Sequence, residues 1–378
     1  MNRLLAALLL CLLAPACALA FDLSPYELPA YAEGEFSFGI MPLSADTSVL
    51  VVGKMVPRGD DPNDLINTST LRFIERGRVV REVALPATVA ASYAAVLQAG
   101  GMLRSISYSE REAWKNTYAL FDLSGDALVN ERVFEGNPYD LFVLSDSFAG
   151  VCARDGGSSE LIVYDAGAQP FFRCGLPFER ARVQDAVRSG DALYLLIKQQ
   201  GYPGLTDCLV LRVTRSGSLS WTYRTTDEVF RYNNLEPDGQ GGVLLLGPLV
   251  SDYKQTRVVR IDRTGSECWQ RTLSAPNAIL HPSCAVENGG GMVTLYGYCI
   301  AKSRGLYTVF ALSLDAFGTP AVLDVRDYSA RADTGPSILR AQDGTMLVHS
   351  EQYTQEERAV LVPFAALPRA EDPGITLR

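Results

Sequence analysis

Two histidines are the residues of this chain whose type best suits acid–base chemistry. His281 and His349 are the only histidines among 378 residues, and a histidine acting as acid or base needs a positioned partner. No recognisable nucleophile motif lies near either of them, so we interpret both as structural. We therefore assign no catalytic residue and expect neither a metal nor a cofactor.

Paired carboxylates would suit a different chemistry, glycoside hydrolysis, in which two acids lie about 5 to 10 Å apart across the scissile bond. Four acidic residues fall near loops that we predict to share one face: Glu110, Asp207, Asp252 and Glu351. A sequence carries no information on their separation. A carbohydrate-active enzyme, either hydrolase or lyase, therefore stays open as an alternative function.

Aromatic residues beside the same loops are the candidates for binding. They are Tyr108, Trp114, Tyr202, Tyr253, Tyr298, Tyr307 and Tyr353. Aromatic rings next to polar side chains are typical of recognition surfaces, although tyrosine also suits half-buried strand positions. We expect this face to bind a protein, a peptide or a glycan.

The first 20 residues have the pattern of a secretory signal peptide. Arg3 precedes an apolar run that ends at Ala14, and Ala18 and Ala20 supply the small residues of a cleavage site. The run is shorter than the roughly 20 residues that cross a membrane, and we expect no transmembrane segment. We predict cleavage after Ala20 and a secreted or extracytoplasmic protein of the bacterial envelope, with lipid attachment at Cys17 as the alternative.

The charge of the chain argues against nucleic acid as a partner. The formal net charge is −9 and basic residues are scattered among acids, whereas binding to phosphates needs a basic patch.

Six cysteines follow the predicted leader: Cys152, Cys174, Cys208, Cys268, Cys284 and Cys299. An even number in an exported chain favours disulfides, and the alternative is that several are small buried hydrophobes.

A repeated hairpin organises the chain. In its clearest copies an alternating apolar strand leads to a turn at Gly217 or Gly265, and a tryptophan follows four residues later, at Trp221 or Trp269. Weaker copies carry turn glycines at Gly77, Gly125, Gly167 and Gly318. Successive turn glycines are 42 to 53 residues apart, a spacing typical of one four-stranded propeller blade.

This repeat predicts an all-β fold, a seven-bladed β-propeller of four-stranded antiparallel blades. The first blade begins near Glu35 and the seventh near Gly335. The seventh shows three strands, so we expect residues 21–32 to supply its outer strand and close the ring, which removes an exposed edge. The predicted divisions are a signal peptide at 1–20, one propeller domain at 21–368 and a C-terminal tail at 369–378.

The hairpin with Asp262, Gly265 and Trp269 resembles repeats of bacterial exported propellers, in the SBBP and PQQ-like families. Thr214 stands in place of the aspartate in the preceding unit, and earlier units lack the tryptophan. The resemblance implies the fold and transfers no activity. We expect Trp221 and Trp269, with Gly217 and Gly265, to be structural, because a large ring wedged between blades buries much apolar area.

Taken together, these features predict an exported, non-enzymatic propeller that binds its ligand through the aromatic loop face. Besides the carbohydrate-active enzyme, one further alternative is an envelope-assembly scaffold similar to the lipoprotein propeller of outer-membrane protein insertion. That family has eight blades and a strong lipidation site, which this chain lacks. A quinone-dependent dehydrogenase ranks last because no cofactor-docking set is found.

Overall fold

A computed structural model gives the architecture of the chain. The residues it describes are 26–58, 61–85, 95–109, 115–122, 127–153, 157–179, 182–198, 208–225, 230–249, 254–275, 278–301, 307–328, 335–352, 358–371 and 375–377. Beside several gaps the backbone alone is described. The predicted signal peptide and Cys17 lie outside these residues. Within them, no helix is long and apolar enough to cross a membrane.

The strands form seven antiparallel sheets, each built mainly from strands that are consecutive in sequence. Blade 1 contains β1 (Glu35–Pro42), β2 (Thr47–Arg58), β3 (Asp61–Glu75) and β4 (Arg78–Ala84). Blade 2 contains β5 (Ala95–Ala99), β6 (Met102–Ser109), β7 (Lys115–Asp122) and β8 (Ala127–Val133). Blade 3 contains β9 (Asp140–Val143), β10 (Phe148–Ala153), β11 (Ser158–Tyr164) and β12 (Pro170–Glu179).

The second half of the chain repeats this plan. Blade 4 contains β13 (Arg182–Ser189), β14 (Ala192–Lys198), β15 (Cys208–Thr214) and β16 (Leu219–Arg224). Blade 5 contains β17 (Asn234–Pro237), β18 (Val243–Pro248), β19 (Gln255–Ile261) and β20 (Glu267–Ser274). Blade 6 contains β21 (Ala278–Glu287), β22 (Val293–Ala301), β23 (Tyr307–Leu314) and β24 (Pro320–Tyr328). Blade 7 contains β25 (Ser337–Arg340), β26 (Met346–Gln352) and β27 (Arg358–Pro363), and a 3-10 helix, Phe364–Ala366, follows.

The first strands of neighbouring blades contact one another in chain order from β5 through β9, β13, β17 and β21 to β25. They therefore surround a common axis, and we call the space they line the central channel. The predicted all-β, seven-bladed propeller with mostly four-stranded blades is confirmed. Its first strand begins at Glu35 and its seventh blade at Ser337, as the sequence indicated.

The hairpin between the third and fourth strands shows why the repeat contains its glycine and aspartate. In blade 5 the N–H of Gly265 donates to the carbonyl of Asp262 at 3.0 Å, and Gly265 has a φ of +90°, which L-residues with a Cβ rarely adopt. The Asp262 side chain accepts hydrogen bonds from the N–H groups of Thr264 and Ser266. The turn is thus closed by local bonds. In blade 3 the left-handed position is taken by Ala168, with a φ of +58°.

Apolar side chains fill the spaces between neighbouring blades. One buried cluster joins Tyr194 and Leu196 of blade 4 to Leu245 and Val259 of blade 5. Similar clusters lie between the other neighbouring blades for which core residues are described. Both faces of the middle strands are therefore buried, which explains their continuous apolar runs.

The repeat tryptophans contact the turn of the next blade. The Trp221 indole N–H donates to the carbonyl of Arg263 at 3.0 Å. A Cβ on Gly265 would lie 2.9 Å from the Trp221 ring, so the ring covers that glycine. Phe172 of blade 3 lies against the turn glycine Gly217 of blade 4 in a similar way, although the sequence shows no tryptophan there.

The N-terminal segment reaches blade 7. Glu27 forms an isolated antiparallel bridge with Val360, and the N–H of Leu28 donates to the carbonyl of Ala359 at 2.8 Å. Leu28 is buried in a cluster that joins blades 1 and 7. Residues 21–25 lie outside the described part of the chain, so ring closure by a full outer strand stays a prediction.

Five cysteines have described side chains, and none of the five is in a disulfide: Cys152, Cys174, Cys268, Cys284 and Cys299. Three of them, Cys152, Cys174 and Cys299, are buried. The structure therefore shows no disulfide among these five, and Cys208 is described by its backbone alone. Burial as small apolar side chains, the alternative given above, accounts for the three buried cysteines.

Candidate functional site: the central channel

The predicted aromatic face is described in part. Tyr298 in β22 and Tyr307 in β23 are brought together, with their ring centroids 5.9 Å apart. The remaining predicted binding residues lie outside the described residues or, for the first, are described by backbone alone: Tyr108, Trp114, Tyr202, Tyr253 and Tyr353.

His281 packs against one of these two tyrosines. Its ring stacks on Tyr298 with the centroids 4.7 Å apart and the planes 15° from parallel. Burial lowers the pKa of His281 and raises the pKa of Tyr298, so both side chains are uncharged at neutral pH. His349 lies in β26, opposite Ser337 and Leu361 of the adjoining strands.

The carboxylates considered for glycoside hydrolysis are not described as side chains. They are Glu110, Asp207, Asp252 and Glu351. Among the described side chains, no group of three or more His, Cys, Asp or Glu is arranged to hold a metal ion.

Other carboxylates line the central channel, where first strands of neighbouring blades meet. Asp140 of β9 accepts a hydrogen bond from the N–H of Val183 in β13 at 3.2 Å. Asp185 of β13 accepts one from the N–H of Leu235 in β17 at 2.7 Å. Each carboxylate thus joins its own blade to the following one.

Glu236 of β17 lies beside Asp185 and near the backbone N–H of Ala285 in β21, since both groups affect its pKa. We call Asp140, Asp185 and Glu236 the channel acids. Asp140 and Asp185 link the first strands of blades 3, 4 and 5 in succession. Because these two acids are each held by a backbone donor of the next blade, their positions follow from the packing of the blades.

The electrostatics of the channel acids favour the protonated form. Burial raises the pKa of Asp140 and of Asp185. Burial, together with the neighbouring Asp185 carboxylate, raises the pKa of Glu236 to about 8. The backbone N–H of Ala285 and the positive charge of Arg340 lower this pKa and do not reverse the shift. Glu236 is therefore largely protonated at neutral pH.

A protonated Glu236 beside Asp185 offers two kinds of contact. Its O–H can donate a hydrogen bond while its other oxygen accepts one, and the backbone of an extended peptide needs both. Cys284 lies beside Glu236, and burial raises the pKa of its thiol, so it is not a thiolate nucleophile at neutral pH. The arrangement suits the binding of polar backbone groups and does not form a catalytic set.

The channel acids were not predicted, because candidate residues were sought in the loops. A signal was present in the sequence, since Asp140, Asp185 and Glu236 lie in successive first strands and are spaced 45 and 51 residues apart, in step with the repeat.

Comparison with known proteins gives matches among solved structures. No family model matches the chain, and no curated protein is significantly similar in sequence. The chain is similar to the acylaminoacyl peptidase of Pyrococcus horikoshii, at 11% identity over 89% of this chain and 52% of that one, with a TM-score of 0.55. It is similar to a prolyl endopeptidase at 14% identity over 93% and 49%, with a TM-score of 0.53.

A third match is the β-propeller domain of the trilobed protease from Pyrococcus furiosus, at 12% identity over 78% of this chain and 95% of that one, with a TM-score of 0.46. The chain spans about half the length of the two full-length peptidases that it matches. At these identities the likeness defines the class of fold, a seven-bladed propeller. Membership of the SBBP or PQQ-like families is not confirmed.

These matches correct the predicted function. The expectation of an exported, non-enzymatic propeller that binds a protein, peptide or glycan through an aromatic loop face is wrong, because the similar structures are those of peptidases. The error has a physical origin. Tyrosines beside loops were interpreted as a binding surface, whereas Tyr298 and Tyr307 are half-buried and pack on each other, and Tyr298 stacks with His281.

Proposed function

We propose that this chain is a peptidase-associated propeller, which works with a peptidase and contacts peptides through its central channel. The observation that carries the proposal is the likeness of nine-tenths of the chain to the structures of two peptidases. The chemistry of the channel supports it. Asp185 and a protonated Glu236 present hydrogen-bond acceptors and a donor to an extended backbone.

The physical role that suits this channel is positioning rather than bond cleavage. Asp140 and Asp185 are already bonded to backbone N–H groups of adjacent blades, so they are held rigidly. Rigid polar groups recognise a peptide at a low entropic cost because few side chains must be ordered on binding. Specific substrates are not assigned.

The test is made on the full chain in the cells that produce it. The tagged chain is crosslinked in the cells, recovered, and assayed for hydrolysis of a series of fluorogenic oligopeptides of increasing length. We expect the wild-type chain to recover a hydrolytic activity that the tag alone does not. Recovery of no peptidase activity above the tag control would contradict the proposal.

Two variants test whether peptides contact the channel rather than another part of the surface. Asp185→Asn and Glu236→Gln change the channel acids without changing their shape, and we expect the dependence of hydrolysis on peptide length to change. Val129→Ser, on the exposed rim of β8 at 56% exposure, is the control and leaves that dependence unaltered. If all three variants behave like wild type, the channel does not contact peptides.

We also propose that the protein acts outside the cytoplasm. The support is the signal-peptide pattern of Met1 to Ala20. N-terminal sequencing of the protein from its source cells tests it, since a mature chain beginning at Phe21 is expected. A chain that begins at Cys17 and carries fatty acid would instead establish the lipid anchor, and an intact Met1 would contradict export.

A further inference from the structure

The last described residues of the chain lie along the outside of the ring. We call 364–371 and 375–377 together the strap. At blade 6 the N–H of Ala370 donates to the carbonyl of Val325 at 2.9 Å, and the N–H of Asp327 donates to the carbonyl of Pro368 at 2.8 Å. The strap thus pairs with the outer edge of β24. The predicted tail at 369–378 begins within this pairing.

Side chains fasten the strap where it leaves blade 7. Phe364 is 6% exposed and packs in the core between blades 6 and 7. The Arg326 guanidinium of β24 lies 5.9 Å from the centroid of the Phe364 ring, and it donates a hydrogen bond to the carbonyl of Leu367 at 2.9 Å. The strap is therefore anchored to blade 6 at its first residues.

The strap then reaches blade 5. Thr376 and Leu377 form β28, which pairs antiparallel with β20, so that blade 5 has five strands. Leu377 lies opposite Leu273, and Thr376 lies opposite Ser274. The Thr376 and Ser274 hydroxyl oxygens are 2.8 Å apart.

Apolar side chains of the strap add to the core between blades 5 and 6. Ala370, Ile375 and Leu377 pack against the cluster that contains Leu273 and Val325. One segment therefore pairs with two outer strands and covers the core between them. It spans three blades through contacts that are separate from the channel acids.

The contact with β24 is incomplete. A cavity of about 530 Å³ lies between this strand and the strap, lined by Val322, Leu323, Asp324, Val325, Arg369 and Ala370. A short pairing beside open space is the kind of element that opens locally before the rest of a domain unfolds. When it opens, the N–H and C=O groups of an outer strand become available to another chain.

We propose that the strap is a releasable clasp, which holds blades 5, 6 and 7 together and shields the edges of β20 and β24 from strand addition. The inference does not depend on the peptidase-associated function. In the closed state the strap of the same chain covers the edges of β20 and β24. When the strap opens, the strap of a second copy of the protein could take its place, because it carries the same backbone pairing groups and the same apolar residues.

The first experiment weakens the clasp and measures hydrogen exchange strand by strand. Ile375→Ser with Leu377→Ser removes apolar contacts of the strap, and Val80→Ser, at 59% exposure on β4, the outer strand of blade 1, is the control. In the double variant we expect the backbone amides of β20 and β24 to exchange about tenfold faster or more than in the wild type. The amides of β6 and β10 should exchange at unchanged rates. Unchanged exchange at β20 and β24 would overturn the proposal.

The second experiment restores the clasp covalently. Ser274 and Thr376 are directly opposite in an antiparallel pair, where Cα atoms are about 4.5 to 5.5 Å apart, which suits a disulfide. Cysteines at both positions are introduced into the double variant, with Cys268→Ser because Cys268 is exposed on the same strand. Protection should return on oxidation and be lost on reduction.

The third experiment supplies the strap from outside. A synthetic peptide with the sequence of residues 367–378 is added to the double variant, with a scrambled peptide as control. We expect the native peptide alone to restore protection of β20 and β24. If the double variant exchanges faster evenly in all blades, the strap is an ordinary part of the cooperative fold and the proposal is wrong. If the native peptide does not restore protection, the strap does not shield these two edges.

Discussion

The indole ring of Trp269 in blade 5 lies over Gly318, the turn glycine of blade 6, so closely that a Cβ on Gly318 would be 2.7 Å from a ring atom. The indole N–H donates to the carbonyl of Ala316 at 3.1 Å, and the ring is 7% exposed. Trp221 and Gly265 have the same relationship one blade earlier. The repeat tryptophan of one blade thus meets the turn glycine of the next blade at both positions.

Replacing Trp269 by alanine should remove this contact. We expect Trp269→Ala to lower the free energy of unfolding by about 3 to 5 kcal/mol, the usual cost of deleting a large buried ring. Trp269→Phe keeps much of the ring and loses the hydrogen bond, which contributes about 1 kcal/mol. Chemical denaturation of both variants checks the prediction, and equal losses would contradict it.

The close approach at the turn can be separated from backbone strain. Gly265, with a φ of +90°, faces the Trp221 ring, whereas a Cβ on Gly344, with a φ of +89°, would meet nothing within 4 Å. Alanine is strained at both positions by roughly 1 kcal/mol or more. We expect Gly265→Ala to be clearly the more destabilising of the two in thermal unfolding, and a matching loss at Gly344 would show that the contact is unimportant.

A buried ion pair lies within blade 5, and its arginine also contacts blade 6. Arg260 and Asp238 have side chains that are 3% and 2% exposed, with Nε and Oδ2 3.0 Å apart, and the guanidinium also donates to two backbone carbonyls of blade 6. Arg260→Met leaves the Asp238 carboxylate buried without its counter-charge, which costs about 3 to 5 kcal/mol.

The matched control is Arg76→Met, because Arg76 is 78% exposed and lies 3.7 Å from its partner carboxylate on Asp46. A solvated pair of this kind contributes less than about 1 kcal/mol. The denaturant midpoints of the two variants therefore compare the loss of a buried ion pair with the loss of an exposed one, and Arg260→Met should have the lower midpoint. Similar midpoints would mean that the Arg260 bonds do not hold the blades together.

The stability of the protein should depend on pH through Glu236. Its pKa is about 8 in the folded chain against an ordinary value of 4.5, so the folded state binds this proton more tightly than the unfolded state does. That stabilisation is fully present below the ordinary value and is lost as the pH rises through about 8. Glu236→Gln is neutral at every pH, and it should be more stable than wild type above about pH 8.

Thermal unfolding at about pH 5 and about pH 9 measures this effect. The Glu236→Gln variant should lose less stability between the two pH values than the wild type. Glu131→Gln, at an exposed position in β8, is the control and should follow the wild type. An unchanged pH dependence in Glu236→Gln would show that this carboxyl group does not titrate as described.

Sequence patterns were sufficient for the blades themselves. The first blade begins at Glu35 as predicted, and the seventh has three strands of its own, the first of which begins at Ser337, close to the predicted Gly335. Alternating apolar residues and turns closed by Gly265 or Gly217 depend on neighbours within a few positions, so local chemistry settles them. The number of blades then follows from the number of repeats.

Three features were decided by tertiary structure alone. The channel acids bond across blades, from Asp185 to Leu235. The repeat tryptophans cover glycines of the following blade, and the strap returns from blade 7 to blade 5. Each joins residues about 40 to 100 positions apart, and the angle at which neighbouring sheets pack determines whether they meet. That angle is a property of the assembled ring, so the strand periodicity of the sequence predicts the blades and leaves their mutual contacts open.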